Sequence, residues 1–597
     1  MPESHIYEFV VKVDGTDLPA DVATLLKNVT VEDNLHLADT FALTFHDPDK
    51  SALSKAGIDF GKKIEILVQG QQGGPEKLLV GEVTALESAY DHVGTRTIVR
   101  GFDHSHRLFR GRRTESYLNS TPSDIARTVA SRAGLQIGQI DPSTGPPSPH
   151  VAQRNQNDWT FLKRLASEHD YDAKMVDGKF AFVKRPAAST APSPSDSFTE
   201  NELQLELGGD LLRFHAVVTA ADQVAEVQAR GWDYRQKQAV VATAPAKTTS
   251  AVVSVKPEDL ANRFSSPPFV AVDVPFGTQA EVDRAAKVGA EQVAGGFAEF
   301  YGVARGNPKI KAGTAISVGL AGKPFDGKYT ITSARHLYTP DEGYQTWFTV
   351  SGHQERSLLG LTSNGGGGGS VGPAPIPGVA VAIVTDNNDP EALGRVKLKL
   401  PRLSDSFETD WVRMAQPGAG NQRGAVLMPE VNDEVLVAFE QGDIRSPFVV
   451  GMLYNGQDKP NLGSGLFDYG KVKRRGFISK KGGALVFLDD DAKEGIALLS
   501  GDKGLRISLN RTDSKVRIYS DGTVEIEAAR DVTITSGQNI EIKAGQALKI
   551  SAGTSFEAKA GTSATLEGSA QVTVKGARAD LDGGAEASLH AGIVRIN

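Results

Sequence analysis

The chain has 597 residues, 40% hydrophobic and 23% charged, which fits several globular units and excludes wholesale disorder. Its 65 basic and 73 acidic residues give a formal net charge of −8, which disfavours nucleic acid as the main partner. Cysteine is absent, excluding disulfide scaffolds, thiolate zinc sites and cysteine nucleophiles together, and no apolar run reaches the roughly 18–20 residues of a membrane span.

Met1 to Val10 has neither a basic n-region nor an apolar h-region, so no secretory leader is expected. Residues 1–363 read mainly as strands. Phe9, Val11 and Val13 alternate with polar residues, as do Ile64, Ile66 and Val68. A helix is predicted from Thr121 as cap, with Pro122 in its first turn, Asp124 near the positive end and Gly134 as stop. A second helix is predicted from Asp158, with Phe161, Leu162, Leu165 and Ala166 as its apolar stripe. The basic run Arg107, Arg110, Arg112 and Arg113 reads as a solvated loop or strand edge.

A faint internal duplication runs through this section. Arg100-Gly101-Phe102-Asp103 recurs as Arg230-Gly231-Trp232-Asp233, and Gly61-x-x-Ile64-x-Ile66 as Gly313-x-x-Ile316-x-Val318. Gly81-x-x-Thr84 recurs as Gly327-x-x-Thr330. Together these predict two related β-barrels, about 1–120 and 205–360, with a helical insertion between them. In a trimer, two such barrels per chain would make a ring of approximate sixfold symmetry.

Asn364 to Pro377, with five consecutive glycines and then three prolines, reads as a flexible linker. Residues 378–456 predict five short strands: Val379–Thr385, Arg395–Leu400, Trp411–Ala415, Glu434–Phe439 and Phe448–Leu453. Five in about 80 residues suit a small Greek-key barrel of the OB kind. Residues 457–515 read as a connector with no assigned role.

Residues 516–597 carry the strongest pattern. Val516, Val524, Val532, Ile540, Leu548, Phe556, Ala564 and Val572 recur every eight residues. Two positions later stand Ile518, Ile526, Ile534, Ile542, Ile550, Ala558, Leu566 and Val574. Glycines keep the same step at Gly537, Gly545, Gly553 and Gly561, then at Gly568, Gly576, Gly584 and Gly592, as expected of corners needing φ > 0 or close backbone approach. One short strand per octad cannot enclose a core of its own, but three chains can. The expectation is an intertwined threefold β-helix whose axis is lined by these apolar pairs. A monomeric β-solenoid is the alternative.

Chemistry-bearing patterns are scarce. The sequence has no Gly-x-Ser-x-Gly elbow, no phosphate-binding Gly-x-x-x-x-Gly-Lys-Ser/Thr loop and no His-Glu-x-x-His helix. Gly418, Gly420 and Gly424 have the wrong spacing for a dinucleotide loop. His104 and His106 would share one face of a strand but lack a third metal ligand nearby. Asp489, Asp490 and Asp491 lack the alternation of a calcium loop and read as a solvated turn. No catalytic residue, metal site or cofactor is expected.

The parts resemble the VgrG family, the spike proteins of type VI secretion and related contractile injection systems, similar in turn to phage baseplate hubs and needles. The N-terminal resemblance rests on Gly101-Phe102-Asp103-His104 through Arg113, Thr121 to Leu135, and Asp158-Trp159-Thr160-Phe161-Leu162-x-Arg164-Leu165-Ala166. The barrel resemblance is more specific: Gly394-Arg395-Val396-Lys397-Leu398, Trp411-Val412-Arg413, Pro429, Asp433-Glu434-Val435-Leu436-Val437-x-Phe439, Gly442-Asp443, Pro447 and Gly451-x-x-Tyr454-Asn455.

The resemblance implies a mainly β homotrimeric spike and no enzyme. Its partners would be an inner tube protein and baseplate proteins at the N-terminal hub, and a PAAR-type tip protein at Gly592, Ile593, Val594, Arg595, Ile596 and Asn597. Effector cargo is a further possible load, and a target membrane would be met only during injection. The protein would be made in the bacterial cytoplasm and built into an injection particle. The alternatives are a spike with a hidden cell-wall hydrolase, which a glycan-hydrolysis assay discriminates, and a trimeric tailspike or adhesin, which would usually end in a receptor-binding head.

Overall fold

The computed structural model describes residues 7–70, 74–92, 94–143, 145–352, 376, 378–462, 466–490 and 493–596. The Gly/Pro linker, apart from Ile376, lies outside them, as do Asp491 and Asn597. The chain is mainly β, 41% strand against 12% helix. It divides into two units, Met1–Pro460 and Asn461–Asn597.

In the first unit, two strand sets of one connectivity build a large sheet, except that Ala315–Gly319 and Gly327–Thr330 of the second set pair in a separate four-stranded sheet. The first set is β1 (Leu26–Asn34), β2 (Thr40–His46), β3 (Lys63–Gln69), β4 (Glu76–Asp91) and β5 (Gly94–Asp103). The second is β6 (Leu211–Val218), β7 (Ala298–Arg305), β8 (Ala315–Gly319), β9 (Gly327–Thr330), β10 (Ser333–Thr339) and β11 (Gly343–Val350). In the sheet the order is β6-β7-β11-β10-β1-β2-β5-β4-β3, with Glu8–Val13 and Thr16–Asp17 beyond β3. The run β6-β7-β11-β10 therefore matches the run β1-β2-β5-β4, where the single long β4 stands for β9 and β10 together.

Three independent features give the same residue equivalence. The β1–β2 register slips between Leu26 and Asn28, and the β6–β7 register between Leu211 and Arg213. Carrying that match through the ladders puts Gly94 on Gly343, and both are left-handed turn glycines, with φ +118° and +71°. Gly61 N donates to Val83 O at 2.9 Å and Val83 N to Lys62 O at 3.0 Å; Gly313 N donates to Ile331 O at 2.8 Å and Ile331 N to Thr314 O at 2.9 Å. These strands alternate because one face packs inward: Val29, Val31, Phe41, Leu43, Ile64, Ile66 and Val99 fill the first core. Leu211, Phe300, Ile316, Val318, Tyr329 and Phe348 fill the second.

The structure redistributes the sequence matches. Gly61 and Gly313 occupy equivalent turns. The residue equivalent to Gly81 is Tyr329, two places beyond Gly327. Arg230-Gly231 lies on Glu226–Asp233, in a separate three-stranded sheet with Gln238–Pro245 and Phe269–Phe276, and has no counterpart in β5. Gly101 and Gly231 are alike only locally. A Cβ at either would meet a neighbouring strand's carbonyl oxygen, Glu82 O at 2.0 Å or Phe276 O at 2.3 Å.

The insertion packs around α1 (Pro122–Arg132) and α2 (Asp158–His169). Thr121 caps α1 by accepting from Asp124 N, and Gly134 follows its end with φ +71°. Asn157, one residue before the predicted start, caps α2 by accepting from Thr160 N at 2.7 Å. Phe161, Leu162, Leu165 and Ala166 are buried, as the predicted stripe requires. A third helix, α3 (Gln279–Gly295), carries a capping box of Thr278 and Glu281 and packs on the Glu226–Phe276 sheet.

The segment before Pro460 is a five-stranded barrel of β12 (Val379–Asp386), β13 (Lys397–Lys399), β14 (Arg413–Met414), β15 (Glu434–Phe439) and β16 (Pro447–Met452), in order β13-β12-β15-β16-β14. All five predicted strands are present, the second and third shorter than expected. Val384, Leu398, Phe407, Val412, Val435, Val437 and Val449 form its core.

A polar cavity of about 150 Å3 lies where the two strand sets meet the insertion. Asp33, Asp39 and Asp103 line it, opposite Lys174 and Lys311, with Lys77 and Asp177 also on its wall. Burial pushes all three carboxyls up, and the charges of Asp33 and Asp103 push Asp39 further. Asp103 reaches about 7, although it accepts hydrogen bonds from Ser105. A carboxyl raised in the folded state stabilises below its unfolded value and loses that contribution as pH rises through its folded value. Asp103→Asn should therefore gain melting temperature relative to the parent as pH rises from about 4 to about 7, then level off. A difference constant across that range would contradict a buried proton at this junction.

Candidate functional site: an unpartnered apolar face

The second unit begins with a hairpin, Phe467–Asp468 with Lys471–Val472. An antiparallel meander follows: β17 (Arg474–Ile478), β18 (Ala484–Asp490), β19 (Lys493–Leu499), β20 (Leu505–Asn510) and β21 (Lys515–Ser520), paired in chain order. The segment 457–515, assigned no role from sequence, is thus largely this sheet. The first octad pair, Val516 and Ile518, sits in its last strand.

Register decides what each face carries. Directly opposite residues share a face. Phe487 stands opposite Ile496, Ile496 opposite Leu509, and Leu509 opposite Val516. One step along, Phe477, Leu485, Leu498, Ile507 and Ile518 form a parallel row. The middle of one face of the sheet is therefore apolar, with Arg475 opposite Phe487 and Asp489 opposite Glu494 at its margin. The other carries Ser508, Arg517, and Arg506 stacked on Tyr519 at 5.2 Å. Within the single chain the apolar face is bare: Phe477 is 59% exposed, Leu498 49% and Ile518 61%.

Beyond Ser520 the chain forms no further paired strand among the described residues. It bends at Asp521–Gly522, Ala529–Arg530, Gly537–Gln538, Gly545–Gln546, Gly553–Thr554, Gly561–Thr562 and Ser569–Ala570, a step of eight throughout. Val524, Val532, Ile540 and Leu548 are 54–57% exposed, and Ile526, Ile534, Ile542 and Ile550 are 63–72% exposed. Every octad thus presents its pair to the same surroundings. Phe556, Leu566, Val572 and Val574 continue the exposed ladder, and Ile593, Val594 and Ile596 end it bare. The corner glycines differ from expectation: Gly537, Gly545, Gly553 and Gly561 have no positive φ and no neighbour within 4 Å of an added Cβ. Of the later glycines, only Gly584 has a positive φ.

The clusters weighed for chemistry resolve structurally. His104 and His106 lie in a 3-10 turn, not a strand, and both face Glu82, at 3.8 and 2.9 Å. Arg107 completes that cluster on Glu82. Asp489 pairs with Arg475, and Asp490 lies 3.4 Å from Lys473. Among the described residues no group of His, Asp and Glu is arranged to hold a metal, and no helix is long and apolar enough to cross a membrane.

A polar clamp that sequence did not disclose holds the five-stranded barrel to the Glu226–Phe276 sheet. Arg395 donates to Asp389 through Nε at 3.0 Å and Nη2 at 2.6 Å, and to the Tyr234 hydroxyl at 3.2 Å. Glu391 lies 3.0 Å from Arg395 and accepts from Arg235 at 3.1 Å. The Arg395 hydrogen bonds hold the Asp389 carboxyl well below the usual range. Nothing in the sequence signalled it, because Arg395 opens a strand in which Lys397 and Lys399 also alternate with apolar residues.

Residues 380–454 match the family model described as the type VI secretion system/phage-baseplate injector OB domain. Residues 3–339, more than half of the chain, match the model of the Alg8 N-terminal domain. A probable baseplate hub protein of Escherichia phage 186 is 28% identical over 206 residues, 32% of this chain and 50% of that protein. The type VI secretion system spike protein VgrG3 of Vibrio cholerae is 44% identical over 66 residues, 10% of this chain and 6% of that protein. The chain thus spans at most half the length of these relatives. The half-lidded Francisella PdpA-VgrG complex has the same fold at TM-score 0.51 and 9% identity, covering 87% of this chain and 88% of that chain.

Arg395→Met should destabilise the first unit by roughly 3 kcal/mol, the low end for stripping one partner from a buried ion pair, because backbone N–H groups still hold Asp389. Thermal unfolding reads this, and Asp389→Asn in the same background should recover part of the loss. An unchanged melting temperature for Arg395→Met would show that the clamp carries no stability. By the match over residues 3–339 the chain belongs to the Alg8 N-terminal domain family, and its injector OB domain with its hub and spike relatives makes it similar to VgrG spikes.

Proposed function

We propose that the protein acts as a homotrimer: the central spike of a contractile injection machine, joining an inner tube and baseplate to a piercing needle. The observation that carries this reading is the eight-residue ladder of exposed apolar pairs. A single chain leaves both its side chains and its backbone groups unpartnered, and an unpaired, apolar strand edge is a template for another chain. Burying each Val, Leu or Ile would contribute roughly 1.5–3 kcal/mol. Three chains wound about one axis bury every pair at once, and the Gly537, Gly545, Gly553 and Gly561 corners then meet neighbouring chains. The bare face of β17 to β21 belongs to the same axis: three such sheets make a closed prism above the needle.

In this reading the work of injection is supplied elsewhere. The spike transmits force, carries a tip protein or cargo, performs no chemistry of its own and uses no cofactor. It is assembled from the bacterial cytoplasm into the injection particle and meets a target membrane only during injection. The hub and spike names of the matched relatives support this role.

Light scattering on the full-length protein should give three times the chain mass. Ile534→Asp would bring three carboxylates together at one level of the axis, where even one unpaired buried charge costs several kcal/mol, on the order of magnitude known for buried ions. That variant should lose the detergent-resistant trimer on a gel. Retention at the parental level would count against an apolar axis at Ile534.

The tip generates a separate expectation. A PAAR-type tip protein would bind at Gly592 to Asn597, where Ile593, Val594 and Ile596 expose an apolar patch. Deleting these six residues should abolish capture of such a cap while leaving the trimer intact. Undiminished capture would place the binding site elsewhere.

A further inference from the structure

Past Val574 the eight-residue step of the second unit breaks, and the break has a pattern. In each octad the last residue of the bend stands two places before the first apolar residue and four before the second. Gln538 so precedes Ile540 and Ile542, and Ala570 precedes Val572 and Val574. The bends that follow lie at Ala577, at Gly584–Ala585 and at Gly592. Counted from Ala570, they come after seven, eight and seven residues.

The two steps make opposite assignments, because a slip of one residue exchanges the faces of a strand. A step held at eight would carry Asp580 and Asp582, then Ser588 and His590, to the places of the apolar pairs. The bends instead put Ala579 and Leu581, Ala587 and Leu589, and Val594 and Ile596 two and four residues past each bend. The exposures follow the bends. Val594 at 49% and Ile596 at 86% repeat the low-then-high exposure of Val572 at 50% and Val574 at 76%, and Leu581 and Leu589 are bare like Leu566.

We infer that the surface at which three copies meet continues past Val574 through Ala579 with Leu581, Ala587 with Leu589, and Val594 with Ile596, kept in phase by two corners one residue short. This rests on the threefold reading above and adds the contact surface of residues 577–596. The partner is the same stretch of two further copies of this chain.

Charge favours this phase over the other. Threefold symmetry repeats each side chain at one level. A step held at eight would therefore gather the carboxylates of Asp580 and Asp582 from every chain inside the axis, and leave Leu581 and Leu589 in water. With the short corners the leucines turn inward, and Arg578, Asp580, Asp582, Glu586, Ser588 and His590 turn outward. Arg578 donates to Asp580 at 2.9 Å, an exposed pair two residues apart. Glu541 with Lys543 and Glu557 with Lys559 are exposed pairs of the same spacing. All six of these residues stand an odd number of places past their bend, the face away from the apolar pairs. The first short corner is also tighter than the regular ones. A Cβ at Gly576 would lie 3.1 Å from Arg578 O, whereas one at Gly537, Gly545, Gly553 or Gly561 meets nothing within 4 Å.

The chain has no cysteine, so thiols can be placed one at a time. Full-length Leu581→Cys, Asp582→Cys, Leu589→Cys and His590→Cys are sized by light scattering and treated with a bulky maleimide before and after denaturation. Ile534→Cys serves as the reference for a thiol on the axis. The expected result is that Asp582→Cys and His590→Cys are labelled in the native protein. Leu581→Cys and Leu589→Cys, like Ile534→Cys, should be labelled only after denaturation. Two neighbouring pairs guard against damage at one position. The reverse distribution would show that the step of eight is kept past Val574 and overturn the inference. Native labelling of all four, or of none, with Ile534→Cys protected would overturn it as well while leaving the threefold reading intact. Native labelling of Ile534→Cys together with a single-chain mass for the parent would overturn the threefold reading, and this surface with it.

Discussion

Unsatisfied backbone is the constraint from which the second unit follows. Every N–H and C=O between Asp521 and Ile596 needs a partner if the apolar pairs beside it are to leave water. The chain bends every seven or eight residues and forms no paired strand there among the described residues. An apolar ladder and a full set of hydrogen bonds are both available only between copies. In the threefold reading proposed above, stability of the needle is inseparable from association, and bonds running between chains would make it stiff along the axis.

The first unit meets the same demand differently. In its large sheet, among the described residues, β6 and the outer half of β4 each pair on one side only. Two copies of one strand connectivity lie side by side, joined by β10 and β1. Gly61 and Gly313 hold the same turn, and Gly94 and Gly343 close the same hairpin. The barrel beside this repeat is held by a polar clamp, Arg395 with Asp389, Glu391 and Tyr234.

Much of this was legible because it is local or periodic. The α1 and α2 boundaries could be read because caps and stripes act within a few residues of Thr121 and Asp158. The five barrel strands and the octads could be read because alternation and an eight-residue step are visible without knowing partners. Long-range placement was not legible. Arg230-Gly231 looked like a second Arg100-Gly101, but a four-residue likeness carries no topology, and the two lie in different sheets. Gly81 and Gly327 both lie in strands, but Gly81 is equivalent to Tyr329, so the Gly-x-x-Thr likeness is two places out of register. The β17–β21 meander was missed because its alternation has no fixed period, and its facing rows emerge only once the strands pair. The cluster of Asp33, Asp39 and Asp103 draws on distant strands, and three isolated aspartates in sequence signal nothing.

Amide hydrogen exchange on the full-length protein tests the central claim most directly. In a lone chain the amides from Val524 to Ile596 face solvent and would exchange at the rate of an unstructured peptide. In an intertwined trimer they are the most deeply bonded amides of the molecule. The account predicts slow exchange throughout this stretch, with the last protection lost near Ile593 to Ile596. Free exchange from Val524 onward, in protein whose Phe41, Leu43 and Val437 amides are protected, would contradict it.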